Sequence, residues 1–286
     1  MTALLTLAVL ATLLGGTLFA VALDRAYLPL LALFTRQRVE TEAPDRLNRD
    51  LAPAWYLALA AIGIAVVPFA PDLALIDSPV GIVIWGSCEA LIVVTVFLHG
   101  WSPNAPFPLI GAYRYAAIGL PVMLPSMFVL IAAALPAESL SLVAIVDSQR
   151  EVWNVIRQPL DLPLFMVVAL AMTLRGPMDY ADAADIATGT SAEDSGAGRA
   201  VWQIARLAML VSVSAIAATV FLGGPLGPVL PGPVWLWLKT GALMALTVWI
   251  GNRVARTTPS RMLTILWVVL LPLSFLHLLI SGLIAL

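Results

Sequence analysis

The side chains best suited to acid–base chemistry in this protein fall in one short polar stretch. Between Arg175 and Arg199 the sequence reads RGPMDYADAADIATGTSAEDSGAGR. Asp179, Asp182, Asp185, Glu193 and Asp194 place five of the chain's seventeen acids there. Asp182 and Asp185 are three apart, so in a helical segment they would share a face, and neighbouring carboxylates shift each other's proton affinity. That pattern suits a proton-linked site, while a plain solvated connection accounts for the composition as well. Two more ionisable groups stand inside apolar runs: Glu89 in IWGSCEALIVV, and Arg206 in the run that starts near Ala200. An ionisable group at mid-membrane costs several kcal/mol and so faces protein, a partner charge or water. Glu89 is therefore read as a proton-relay or water-lined acid rather than a neutral packing residue. Arg206, nearer an interface, either pairs within the protein or snorkels. His99 and His277 are isolated among apolar neighbours and are read as hydrogen-bonded packing residues.

The elements that must position these groups are set by composition. The chain of 286 residues is 61% hydrophobic and 11% charged, with a mean hydropathy of +0.97, which is not the make-up of a water-soluble domain. One cysteine, Cys88, excludes an internal disulfide, and two histidines far apart in sequence offer little to a metal ion. A formal charge of −2 argues against a nucleic-acid partner. The expected class is an all-α integral membrane protein in a single domain, residues 1–286, with the lipid bilayer as its surroundings.

A helix needs about 20 apolar residues to cross a hydrocarbon core of about 30 Å. Eight such spans are expected: 2–23, 52–69, 79–99, 115–135, 160–174, 200–222, 234–250 and 262–286. No Lys or Arg precedes Arg25, so the first apolar run reads as a retained helix rather than a signal peptide. AYLPLLALF, in the polar region after it, is apolar enough to lie in the interface. Span 2 is stopped by Pro68, Pro71 and Asp72, and GWSPNAPFPLIGAY (residues 100–113) reads as a loop rich in Pro and Gly. Pro121 and Pro125 predict a kink in span 4. Residues 137–159 are amphipathic and too polar to cross, and span 8 carries the internal pair Leu271-Pro272.

The basic residues set the orientation. Arg25, Arg36, Arg38, Arg46, Arg49, Arg114, Arg175, Arg199, Arg253, Arg256 and Arg261 fall on odd-to-even connections, against Arg150, Arg157 and Lys239 on the other side. The acidic loop 175–199 is thus expected in the cytoplasm and both termini outside.

Several stretches, in order, resemble one family: the heel subunit of the membrane arm of respiratory complex I, the bacterial H subunit and its mitochondrial counterpart. The family has relatives in membrane-bound hydrogenases and formate hydrogenlyases. Gly100-Trp101-Ser102 with Asn104, Leu109-Ile110-Gly111-Ala112 and Arg114-Tyr115-Ala116-Ala117 resemble its GW loop and G-x-x-R-A-A run. Trp153 and Gln158-Pro159-Leu160 resemble its W…QPL stretch, and Arg175-Gly176-Pro177-Met178-Asp179 its R-A-P-F-D. Asp182, Asp185, Gly189, Glu193, Ser195 and Gly196 track its E-A-E-S-E…G…T-E-Y-S-G segment with one residue missing. Leu271-Pro272-Leu273-Ser274, Leu278-Leu279 and Gly282 resemble its last helix.

The resemblance implies a subunit without catalysis of its own and without a covalently bound cofactor, walling a chamber where quinone is the substrate of the whole assembly. Arg114, Arg175, Asp179, Asp182, Asp185 and Glu193 would border that chamber or its cytoplasmic side, with Glu89 and Arg206 as intramembrane relay candidates. Partners would be antiporter-like and small membrane-arm subunits and iron–sulfur subunits of the peripheral arm, in a bacterial inner membrane. The equivalent component of a hydrogenase or formate hydrogenlyase assembly is the neighbouring reading; a stand-alone secondary transporter would need internal repeats, and a purely structural anchor is a third. The chain also departs from the family. Met123 and Met172 stand where it has membrane acids, Asp194 replaces the Tyr of T-E-Y-S-G, Glu89 is an acid at a position expected to be small and polar, and the G-P-N-R segment expected after span 1 is not recognisable. Either the proton path runs through Glu89 instead, or part of the coupling is lost.

Overall fold

The computed structural model describes residues 2–71 and 73–285. In chain order it holds α1 (Thr2–Leu23), α2 (Tyr27–Phe34), α3 (Arg46–Ala65), a two-stranded antiparallel ribbon of β1 (Pro68–Ala70) and β2 (Leu73–Ala74), α4 (Gly81–Trp101) and α5 (Pro106–Ala134). There follow α6 (Leu142–Asp147), α7 (Asn154–Arg157), α8 (Asp161–Met172), α9 (Gly196–Leu222), α10 (Gly232–Arg253), α11 (Pro259–Ile265) and α12 (Leu271–Ala285). The protein is all-α apart from the ribbon. Among the described residues six helical stretches are long and apolar enough to cross a membrane: α1, α4, α5, α9, α10 and the α11–α12 run. The other two expected spans differ from these. α3 is 20 residues long but opens on Arg46, Arg49 and Asp50, and α8 has 12 residues, which rise only about 18 Å.

α9 is the axis of the bundle. It packs against α3, α10, α1 and α8, and nearly all of it from Ala205 to Phe221 is buried. Its small side chains, Ala205, Ala208, Ser212, Ala215 and Ala218 among them, let neighbouring backbones approach closely, which is how helices associate where no hydrophobic drive exists between them. At the end of the bundle away from the acidic loop, side chains take up the carbonyls that helix ends leave free. Gln149 donates to Thr219, Asn154 to Val220 and Ala133, and Gln158 to Ala132. The Nζ of Lys239 donates to the carbonyls of Leu222, Gly224 and Leu226 at 2.6, 3.0 and 2.6 Å and sits 4.2 Å from the centre of the Trp153 ring.

Two expectations are corrected. Span 2 ends at Ala65, not Phe69, because the chain turns into the ribbon at Pro68; Asp72, expected to help stop it, lies outside the described residues, as does Leu286 at the expected end of span 8. The stretch 100–113 is loop only around residues 102–105. α5 begins at Pro106, where a proline with its fixed φ starts a helix well, and it runs on through Pro121 and Pro125 as one helix. In the last helical run, residues 266–270 form a wider π turn just before Pro272. The pyrrolidine ring has no N–H and crowds the preceding turn, and the π turn makes room: the Leu271 N–H reaches back to the Leu266 carbonyl.

Candidate functional site

The acidic loop is anchored where α8 ends. The carbonyls where α8 ends and turns into the loop would be unpartnered in the bundle interior, yet side chains donate to the last two of α8 and to the next two. Tyr115 donates to Ala171, Tyr56 to Met172, and Arg206 to both Thr173 and Leu174. Gly189 stands at φ +51°, and a Cβ there would collide with the Ala181 carbonyl oxygen. Only glycine fits that conformation and space. Gly111 of α5 is pressed on the same carbonyl, 2.5 Å from a notional Cβ.

Within this frame Asp179, Asp182 and Asp185 each meet an arginine. Arg206 lies 2.8 Å from Asp182, whose other oxygen accepts from Thr190 at 2.5 Å and Ser191 at 3.3 Å. Arg175 forms a fork with Asp24, at 2.9 and 2.5 Å, joining the loop to the end of α1. Arg256 spans Asp179 at 3.2 Å and Asp185 at 3.0 Å, and Arg114 lies 2.6 Å from Asp185. The hydrogen bond from Arg114 holds the Asp185 carboxyl below its ordinary range. The expected face shared by Asp182 and Asp185 does not form. Asp182 lies in a turn and Asp185 in a single 3-10 turn, Ala184–Ile186, and each binds a different arginine. Arg175, Asp179, Arg206 and Arg256 line a cavity of about 430 Å³ whose far wall is Gly251–Val254 at the end of α10. Arg114 borders the same loop from outside the cavity. Glu193 does not join it: its side chain is exposed, and its carbonyl lies 3.5 Å from Arg49.

On the other side of the loop Asp194 is buried, 2.8 Å from Nε2 of His99 at the end of α4. The His99 ring stacks on Trp202, with centroids 3.6 Å apart and planes at 12°. Burial works to raise the Asp194 carboxyl's proton affinity, but His99, Arg49 and Arg199 outweigh it and hold the carboxyl below its ordinary range. His99, read as a packing residue, is thus packed and paired. The residue where the family's Tyr would stand supplies its partner.

Two ionisable sites lie deeper. Glu89 is buried in α4, where Oε2 accepts from Ser126 of α5 at 2.9 Å. Ser126 is one helical turn along α5 from Met123. Asp161, at the start of α8, lies 2.6 Å from His277 of α12, both buried. A second and larger cavity of about 750 Å³ opens between α1, α9 and α10. Its lining is apolar or small, with Gly15, Gly16 and Phe19 on one side and Gly241, Ala242 and Ala245 on the other. Sequence reasoning missed Asp24, Arg256, His99–Asp194 and Asp161–His277 as partners. Asp24 and Arg256 carried a usable signal, since each sits just past the end of an apolar run on the loop's side.

A membrane helix bundle with an arginine-lined cavity at one end and an apolar groove leading along two of its helices defines the class of this protein. Its relatives narrow the class. Residues 22–282 match the family model described as NADH dehydrogenase, and the chain belongs to that family. It is 33% identical over 253 residues to an NADH-quinone oxidoreductase H subunit, the first form, of Rhodopseudomonas palustris strain BisB5, covering 88% of this chain and 79% of that protein. The second-form H subunit of Rhizobium meliloti is 31% identical over 264 residues, covering 88% and 80%, and that of Cereibacter sphaeroides strain ATCC 17029 is 32% identical over 257, covering 89% and 81%.

Proposed function

We propose that this protein is the membrane subunit of an NADH–quinone oxidoreductase in a bacterial inner membrane, where it walls the quinone chamber and couples quinone reduction to proton movement. The observation that carries the reading is the pairing of the two cavities. An arginine-lined pocket of about 430 Å³ suits the polar ring of a quinone, and the apolar groove of about 750 Å³ suits its hydrocarbon tail. α10 walls both, and Asp24, where α1 ends, is held by Arg175 of the polar pocket. The acidic loop faces the cytoplasm in this reading, in line with the arginine bias, and the peripheral subunits dock on that side.

The chamber acts electrostatically. Reduction of a quinone to a quinol takes up two electrons and two protons; until the protons arrive, or where neighbouring protein groups supply them, the charge beside Arg206, Arg175 and Arg256 changes during turnover. Asp182 and Asp179, bound to those arginines, respond, and the Thr190–Ser191 turn extends from Asp182 to Asp194 and His99. His99 and Glu89 lie on one buried face of α4 with Ile92, Val93 and Val96, which carries the effect into the membrane. Glu89 meets α5 one turn from Met123, so an acid on α4 stands in for the one missing from α5.

The test is purification of the tagged chain in mild detergent with whatever accompanies it, followed by an assay of NADH-driven quinone reduction. Co-purifying iron–sulfur and antiporter-like subunits together with quinone reduction support the reading. An intact assembly that reduces no quinone, or a chain recovered alone under conditions that hold such complexes together, overturns it.

A further inference from the structure

The inner face of α12 does not look like a helix that only fills space. Ser274, His277 and Ser281 recur at three- and four-residue spacing and are all buried, so they form one polar stripe. Phe275, Leu276, Leu279 and Ile280 on the other faces are exposed on the outside of the bundle. Opposite the stripe, the N-terminal end of α8 and the segment before it present Asp161, wholly buried, and Gln158. His277 Nε2 lies 2.6 Å from Asp161 Oδ1, and no other charged group lies within ion-pair distance of either among the described residues. Asp161 Oδ2 and Gln158 Oε1 are buried without a hydrogen-bond partner, and the approach of Asp161 Oδ1 to His277 Nε2 is an ion-pair contact rather than an aligned hydrogen bond. Directly beside Ser281, Gly282 joins Leu135, Glu138 and Ser139 in lining a cavity of about 420 Å³. That cavity is at the end of the bundle opposite the acidic loop: α5 and α12 end there, while Thr257, just ahead of α11, touches Tyr180 of the loop.

We infer that this seam is a proton exit half-channel, with Asp161–His277 as the proton-holding site at its inner end and the Glu138 cavity as its mouth. A buried Asp and His hold one shared proton with no net charge, either as carboxylic acid with neutral imidazole or as carboxylate with imidazolium, and moving that proton between them changes no net charge. Uptake of a second proton from the bundle interior gives a net cation. Its release past Ser281 into the cavity restores the neutral pair, and no electrons move. A purely structural fastening of α8 to α12 needs none of this, since a neutral amide pair holds two helices without burying ionisable groups. Histidine suits the task because its proton affinity lies close to neutral pH.

The inference rests on the quinone-linked reading above, and its test separates the two. Single cysteines are placed at Ser281, Leu279 and Ile280 in the full complex in native membranes and exposed to a membrane-impermeant thiol reagent from the side opposite the loop. Native Cys88 is buried. Ser281→Cys is expected to react and Leu279→Cys and Ile280→Cys to stay unmodified, since thiols in lipid do not ionise. Equal labelling of Ser281→Cys and Ile280→Cys overturns the half-channel. In reconstituted vesicles, Asp161→Asn, alone and with His277→Gln, is expected to lower the protons moved per electron, although the amide pair still joins the helices. An unchanged ratio overturns the proton-holding role. A wild-type complex that reduces no quinone would instead overturn the functional reading and leave the thiol result standing.

Discussion

The two ends of this bundle solve the same problem with different chemistry. At both ends, helix termini buried inside the protein leave carbonyls that need donors. At the far end the donors are the amides of Gln149, Asn154 and Gln158 and a single lysine, Lys239, which donates only to carbonyls. At the loop end the donor to the two carbonyls just past α8, Thr173 and Leu174, is Arg206, which at the same time holds Asp182 and faces a cavity. An amide is enough to close a helix end. An arginine paired with an acid beside a cavity adds a group whose charge balance can change, and the bundle places such groups almost entirely at one end. The far end's exception is Asp161–His277.

The comparison breaks most sharply at Arg206. Arg206→Ala leaves Asp182 without its cation and the Thr173 and Leu174 carbonyls without the guanidinium. Removing one partner of a fully buried ion pair typically costs about 3–5 kcal/mol; this pair is only partly buried, so a smaller but clear drop in thermal stability in detergent and loss of assembled complex are expected. Arg206→Lys restores the charge but not the planar fork and recovers part of the loss. If Arg206→Ala melts with the wild type, the loop end is not held as described.

Lys239→Met tests the other end. It removes a charged donor from three carbonyls, and hydrogen bonds to charged groups contribute about 1.5–3 kcal/mol. The expected result is a lower melting temperature with unchanged quinone reduction per assembled complex. A loss of turnover at full assembly would show that the far end does more than close helices.

Asp194→Asn sharpens the comparison within the loop end, because its partner is a stacked histidine rather than an arginine at a cavity. The folded protein holds the Asp194 carboxyl below its unfolded value of about 3.9. Its stabilisation is therefore full above about pH 4 and is lost as pH falls through the lower, folded value. Melting temperatures of wild type and variant should differ by a constant amount from neutral pH to about pH 5 and converge at more acid pH. A gap that stays constant into strong acid would remove Asp194 as the titrating group.

How much of this was legible beforehand follows from what sets each feature. The apolar run of α1 could be read to the residue and those of α4, α9 and α10 to within four residues at each end, because crossing hydrocarbon demands a continuous stretch of fixed length. α5 was misread at its start because Pro106 and Pro108 look like loop punctuation, although proline also begins helices. The acids of the loop were legible as a group, but their partners were not. Asp24 and Arg175 are 151 residues apart, and His277 meets Asp161 only because α12 returns beside α8. Pairings created by helix packing leave no local spacing to read. The short polar turns that split Asp182 from Asp185 come from the Gly189 and Ala181 contact, which depends on α5 arriving beside the loop.

The smallest expected effect concerns the linker between α2 and α3. Arg38 lies 2.7 Å from Asp50 and 3.6 Å from Glu40, with side chains that remain well exposed. Exposed pairs contribute about 0–1 kcal/mol because water and salt screen them. Arg38→Gln should leave the melting temperature of the purified chain within that range, and raising the salt concentration should shrink even that difference. The linker also touches the loop, since the Val39 N–H donates to Ser195 at 2.6 Å, a contact that the substitution leaves in place. The same variant therefore separates fold from assembly. If Arg38→Gln leaves stability untouched but weakens recovery of the peripheral subunits, the exposed arginine serves the surface where those subunits dock, and the loop end divides into a buried, structure-holding layer and an exposed, partner-facing one. If both stay at wild-type levels, the linker's charges only keep that face solvated.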